Sequence, residues 1–197
     1  MDYLIEKVNN INIILSVAVI ICFILFTESV SYSWHRWATH RDILPYIFGI
    51  QDSHDIHHRN GSIGRGNDFV YISLILFMGV ILLATISFIT GLSTYVCLLI
   101  YVPAFITFVW NWYIHDSYHI KNHWLNKYKW FRKDKQIHFQ HHYNSNKNYG
   151  IASHFTDKIF GTFDKGKPNR KTDEELYYDK KTLKKLKNHL FYRIFGV

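Results

Sequence analysis

The chain has 197 residues, 48% of them hydrophobic, and its 23 Lys and Arg against 15 Asp and Glu give a formal net charge of +8. That length holds one domain and little more. The only two cysteines, Cys22 and Cys97, both lie inside apolar runs, which excludes a disulfide scaffold and any cysteine-based metal motif.

In chain order, MDYLIEKVNN opens the sequence without a basic excess, and no small-residue cleavage site follows. The apolar run after it therefore reads as a membrane span rather than a cleaved signal. Ile11 to Phe26 is nearly all apolar and can continue helically through TESVSYSW, a first span over about 11–34. HRWATH (His35 to His40) and HDIHH (His54 to His58) come next. The glycine-rich GSIGRGND, Gly61 to Asp68, reads as a flexible link. Residues 69–91 and 92–114 form two further apolar blocks with no charged residue. At about 1.5 Å per residue each spans roughly 30 Å, the thickness of a hydrocarbon core. Run length disfavours the competing reading, buried helices of a soluble protein. HDSYH (His115 to His119) and HFQHH (His138 to His142) follow the third block.

The chain is thus expected to be an all-α integral membrane protein, with about three transmembrane helices and a cytoplasmic helical cap. Residues 1–162 read as one membrane-embedded domain, with 115–162 its catalytic segment. Residues 163–197, with ten basic and five acidic side chains, read as a basic tail. Its end, KKTLKKLKNHLFYRIFGV, has the pattern of a basic amphipathic interfacial helix.

Charge orients the spans. Lys7 is the only basic residue before the first block, and none lies between Arg65 and Lys121. Lys and Arg mark the cytoplasmic side. Gly91 to Ser93 then forms a tight turn on the far side, the N-terminus lies outside, and WHRW and VWNWY sit at the inner interface. This topology brings all four histidine clusters to the cytoplasmic face; a two- or four-span reading would split them across the membrane.

Residues at i, i+3 and i+4 share a helix face at about 3.6 residues per turn. His54, His57 and His58 therefore converge if helical, as do His138, His141 and His142. His115 and His119 are one turn apart. His35 and His40, at i and i+5, need a helix end, a bend or a local widening. Imidazole nitrogen suits Fe, Zn and Cu, and ten imidazoles are too many for one ion and appropriate for two. The doubled H-x-x-H-H reads as two halves of one dinuclear site, the first tied to span one and the second to span three. Asp55 and Asp116, each directly after a cluster histidine, are candidates to accept a ligand's second N–H, with Asp52 and Asp134 nearby. His123, His154 and His189 read as packed or interfacial side chains.

Other chemistries lack their residues. H-E-x-x-H, G-x-S-x-G, the P-loop and G-x-G-x-x-G are absent. Glu28 is the only glutamate between residues 7 and 173, which excludes a carboxylate-rich di-iron bundle. No nucleic-acid-binding module accompanies the positive charge.

The ordered boxes H-x4-H (His35, His40), H-x-x-H-H (His54, His57, His58), H-x3-H (His115, His119) and H-x-x-H-H (His138, His141, His142) resemble the fatty acid hydroxylase/sterol desaturase superfamily of membrane-bound non-haem di-iron enzymes. NYGIASHFTDKIFGT, Asn148 to Thr162, is similar to the segment that follows the last box there, a small-residue turn leading to a helix that carries Asp and ends in F-G-T. The chain departs from that pattern at His154 and Thr156, where members often carry Pro and Trp. HD at His115–Asp116 and ND at Asn67–Asp68 are similar to the carotenoid hydroxylase branch, but the NYG…FGT segment speaks against it.

The resemblance implies two iron ions held by the ten histidines, with zinc as a substitute, and molecular oxygen as co-substrate. It implies hydroxylation or desaturation at an unactivated C–H of a membrane lipid, a fatty acyl chain or sterol. The alternatives are a carotenoid hydroxylase and a non-enzymatic membrane metal-binding protein. Nothing resembles a fused cytochrome b5 domain, so electrons come from outside. The basic segments fit anionic headgroups and an acidic donor of cytochrome b5 or ferredoxin type. The expected location is the endoplasmic reticulum in a eukaryote or the inner membrane in a bacterium.

Overall fold

The computed structural model describes residues 2–40, 50–60, 68–91, 93–166, 173–188 and 190–196, and those residues contain helices and no strand. The helices are α1 (Asp2–Ser33), α2 (Ile50–Asn60), α3 (Asp68–Thr90), α4 (Thr94–Tyr118), α5 (Lys129–Tyr143), α6 (Phe155–Ile159), α7 (Lys180–Asn188) and α8 (Leu190–Phe195). A π-helical turn, Trp34–Thr39, continues α1, and single 3₁₀ turns cover Trp124–Lys127 and Asp173–Leu176. The expected link at residues 61–67 lies outside the described residues, as do His189 and the side chain of Asp52.

Two compact units are present. One comprises residues 1–29 and 67–109, the other 30–66 and 110–197. In the first, the described side chains of α1, α3 and α4 are mostly apolar and keep much of their surface exposed. Phe88 is 91% exposed, Ile89 74% and Ile14 67%. A water-soluble unit buries such side chains, whereas hydrocarbon solvates them and leaves the helical backbone internally bonded. Asn12–Thr39 and Tyr95–Tyr118 are helical stretches of 28 and 24 residues, long and apolar enough to cross a membrane. In α3 the described apolar stretch is Phe77–Thr90. Just after α3, Gly91 takes φ +70° and its N–H bonds the Ser87 carbonyl at 2.9 Å. That left-handed conformation suits glycine. The two helices approach closely, since a Cβ on Gly79 would stand 2.9 Å from the Tyr101 ring. Ser16 Oγ and Tyr95 OH, 3.1 Å apart, link α1 to α4.

The second unit has its own core, including Tyr113, Ile114, Tyr118, Phe131, Phe139 and Leu125. The segment read from the sequence as a basic tail contributes Leu176, Tyr178, Leu186 and Tyr192 to that core. The lysines among its described residues face outward while one apolar stripe packs inward, as an amphipathic helix requires.

Candidate metal centre

Four pieces of chain carry the ten box histidines, all in the second unit. His35 is the second residue of the π-helical turn Trp34–Thr39 and His40 caps its C-terminal end. A π-turn bonds i to i+5, so of the helix end, bend or widening that H-x4-H needed the structure has a local widening, and the two rings stand 5.0 Å apart. The Thr39 hydroxyl donates to the His35 carbonyl within this turn. α2 carries His54, His57 and His58, and α5 carries His138, His141 and His142. His115 lies on the last turn of α4, and His119 follows just beyond its end.

These side chains form two groups of five. His35, His40, His54, His58 and His141 make the first; His57, His115, His119, His138 and His142 make the second. Within each group one nitrogen per residue lies within 4.8 Å of all the others. The division does not follow the chain as expected. Each H-x-x-H-H motif is split: its i and i+4 histidines enter one group and its i+3 histidine the other. Ring distances show the split, 4.6 Å for His54–His58 but 5.9 Å for His54–His57. The counterpart in α5 is 4.8 Å for His138–His142 and 6.2 Å for His138–His141. The physical reason is angular: on a helix i+3 and i+4 diverge by about 100°. α2 and α5 thereby each supply both groups, and neither group belongs to a single span.

Backbone carbonyls fix several rings. His35 Nδ1 lies 2.6 Å from the Tyr149 carbonyl, His141 Nδ1 2.6 Å from that of Lys147, and His119 Nδ1 2.6 Å from that of Leu176. A carbonyl only accepts, so each Nδ1 carries the proton and each neutral ring turns the lone pair of Nε2 toward its group.

The donor set fits a cation. His35 Nε2 and His141 Nε2 are 3.1 Å apart, and both are lone pairs by the carbonyl bonds just described. No proton stands between two such neutral rings, so the contact is repulsive until a positive ion shares the electrons. His40 Nε2 adds a third nitrogen 3.0 Å from His141. His58 Nε2 is buried without a hydrogen-bond partner, a cost that an ion removes. Protonation is opposed instead. Burial, reinforced by neighbouring imidazoles, lowers His40 to about 2 and His58 to about 3 from 6.5. The same causes hold His54, His57, His119, His138, His141 and His142 well below their ordinary value. Neutral imidazole is the form that binds metal.

The two carboxylate candidates fare differently. Asp116 is 1% exposed, and its Oδ1 is 3.6 Å from His115 Nδ1. Asp55 is exposed on α2. Asp116 and Asp55 both directly follow a group histidine, yet one is buried and the other exposed, so adjacency in sequence alone does not make a partner. Asp134 pairs instead with His154, 3.6 Å away.

His123 and His154 belong to neither group. His123 Nδ1 accepts from the Leu125 amide at 3.3 Å and caps a 3₁₀ turn. His154 lies between Asp134 and Asp157, 3.6 and 3.7 Å away. Burial alone lowers its affinity for a proton, but the two carboxylates outweigh it and raise its pKa.

The segment after the last box acts as a clasp. Asp157 is buried, and its carboxylate accepts from the Tyr149 amide (2.9 Å), the Gly150 amide (2.7 Å) and Thr162 Oγ1 (2.7 Å). Burial pushes its pKa up, while His154, Thr162 and these amides outweigh that and lower it. Asn148, at φ 57°, bonds Asp164 in both directions at 2.8 Å. A Cβ on Gly150 would stand 2.1 Å from the Ser153 carbonyl, so only glycine fits. The clasp presents the Tyr149 carbonyl to His35. Sequence reasoning missed Lys147 and Leu176 as ring partners, because a carbonyl acceptor leaves no side-chain signature.

A family model described as fatty acid hydroxylase matches residues 20–162, which include all ten box histidines and the clasp. No curated protein and no solved structure matches the chain.

Proposed function

Because the chain belongs to the fatty acid hydroxylase family, we propose that it is an oxygen-dependent di-iron oxidoreductase that hydroxylates or desaturates an unactivated C–H of a membrane lipid. The observation that carries this reading is the pair of five-histidine groups interleaved through α2 and α5. One group would hold each iron, leaving coordination positions for oxygen. Bound there, the two ions would supply dioxygen activation and the oxidising power to remove hydrogen from carbon.

The protein's share is geometric and electrostatic. Carbonyls of residues 147, 149 and 176 orient three rings. Burial keeps the imidazoles neutral and ready to bind metal. Tight packing around the groups excludes bulk water from the reacting carbon.

Three spans with the histidine groups on the cytoplasmic side suit this chemistry, since lipid arrives from the bilayer while iron and electrons arrive from the cytosol. The lysine distribution and the exposed apolar surfaces of α1, α3 and α4 support that topology. Exposed Lys121, Lys127, Lys129, Arg132 and Lys133 suit an acidic cytochrome b5 or ferredoxin.

The test is comparative lipid profiling of a host expressing the wild type or His141→Ala. An oxidised or desaturated lipid that requires oxygen and appears only with the wild type supports the reading. Identical profiles at equal expression, with metal still bound, favour a non-enzymatic metal-binding protein.

A further inference from the structure

Residues 173–196 follow the family match and contain no box histidine, yet they touch the second histidine group at several points. The Leu176 carbonyl takes the proton of His119 Nδ1 at 2.6 Å. Two residues later the Tyr178 amide donates to the His119 carbonyl at 2.8 Å, and the Tyr178 ring stacks on the His119 imidazole at 5.1 Å and 23°. His119 is thus held by its ring nitrogen, its face and its backbone from one short stretch.

The same segment captures Asp116. Tyr178 OH donates to Oδ1 at 2.8 Å and Tyr192 OH to Oδ2 at 2.5 Å. Both phenols are buried, Tyr178 being 6% exposed and Tyr192 3%. A buried carboxylate with a phenolic donor on each oxygen has a fixed orientation. This one lies 3.6 Å from His115 Nδ1, so the two phenols hold an acceptor beside that ring. His119 therefore owes its tautomer and orientation to residues 176–192, and the carboxylate beside His115 is held in place by the same segment. In the first group the corresponding carbonyls come from Lys147 and Tyr149, before the end of the clasp.

We propose that the C-terminal segment 173–196 is a working part of the second metal site. Its Leu176 carbonyl and the Tyr178 and Tyr192 hydroxyls preset His119 and His115, so that the second ion depends on this segment and the first does not. The inference rests on reading the ten histidines as ligands for two ions. Tyr178 and Tyr192 are positioning residues: they act on the ion through Asp116, His115 and His119.

The experiment uses the full-length chain with ferrous iron and, as a redox-silent probe, zinc, titrated against a competing chelator. Tyr178→Phe/Tyr192→Phe keeps both rings and removes both hydroxyls. The double change is made in two backgrounds: His58→Ala, which disables the first group, and His142→Ala, which disables the second. In the His58→Ala background the remaining ion weakens about 10- to 100-fold, the usual effect of removing a ligand's outer partner. In the His142→Ala background its affinity is unchanged. Equal weakening in both backgrounds, or none in either, overturns the proposal. A single change, Tyr192→Phe, followed by circular dichroism, guards against misfolding: it weakens the second ion with unaltered helix content, and loss of both ions together contradicts the assignment. A wild type that binds no metal counts against the two-ion reading itself, a result distinct from either.

Discussion

His57 and His58 are neighbours in sequence and serve opposite metal groups, their rings 6.0 Å apart and nearly perpendicular at 88°. The same division separates His141 from His142, 6.1 Å apart at 84°. Two adjacent histidines on one helix enter two different groups, so α2 and α5 each contribute to both groups.

It follows that His57→Ala and His58→Ala damage different sites. Each lowers bound metal from about two ions per chain to about one, and the double variant binds almost none. Metal analysis of the three purified proteins checks this. A single variant that empties both sites while remaining folded contradicts the partition.

Asp157 is predicted to be the main anchor of the clasp. Its removal strands the Tyr149 and Gly150 amides, at about 1–3 kcal/mol for each buried group left unsatisfied. Asp157→Ala should therefore cost roughly 3 kcal/mol or more, and Asp157→Asn less, because it keeps an acceptor. The Tyr149 carbonyl also loses its support, so first-site metal affinity falls about tenfold. Chemical unfolding and chelator competition measure the two effects. Unchanged values for Asp157→Ala contradict the clasp.

The buried histidines give the metal-free chain a signed pH dependence. His40 and His58 are held near 2 and 3 when folded, against 6.5. The unfolded chain therefore binds more protons in that window, and stability falls as pH drops below about 6.5, by up to about 1.4 kcal/mol per pH unit per histidine. His154 has the opposite sign. Its pKa is raised, so its contribution is complete below the unfolded value and is lost as pH rises through the folded one. Melting temperatures of the metal-free protein between pH 8 and pH 5 test this, the pH values being on the order of those that bracket an ordinary histidine. They should fall with acid, and bound metal should delay the fall. A rise on acidification contradicts the assignment of neutral rings.

If an acidic protein delivers electrons to the exposed lysines of residues 121–133, its second-order rate of reduction falls as salt rises from low to physiological ionic strength. Screening shortens the reach of charge to about 8 Å at physiological salt. Stopped-flow reduction by a cytochrome b5 or a ferredoxin measures it. A salt-independent rate contradicts docking through these residues.

Much of the site was legible in the sequence because helical spacing is a strong constraint on histidine pairs. His35 and His40 needed a helix end, a bend or a local widening, and a π-turn is there. The partition of His57 from His58 was not legible, because spacing gives the angle between two side chains but not which neighbour each meets. Asp55 looked equivalent to Asp116, yet only Asp116 is buried against a histidine. The tail read as a basic amphipathic interfacial helix because its lysines dominate its composition. Leu176, Tyr178 and Tyr192 carry its structural role, and their partners, a ring N–H, a backbone carbonyl and a carboxylate, are tens of residues away.

The central claim is that ten histidines build two metal sites. The most direct measurement is iron content per chain of the full-length protein loaded anaerobically with ferrous iron, for the wild type, His58→Ala, His142→Ala and the double variant. The expected contents are about two, one, one and none. Wild-type iron in the double variant, or a wild type that holds none, would contradict it.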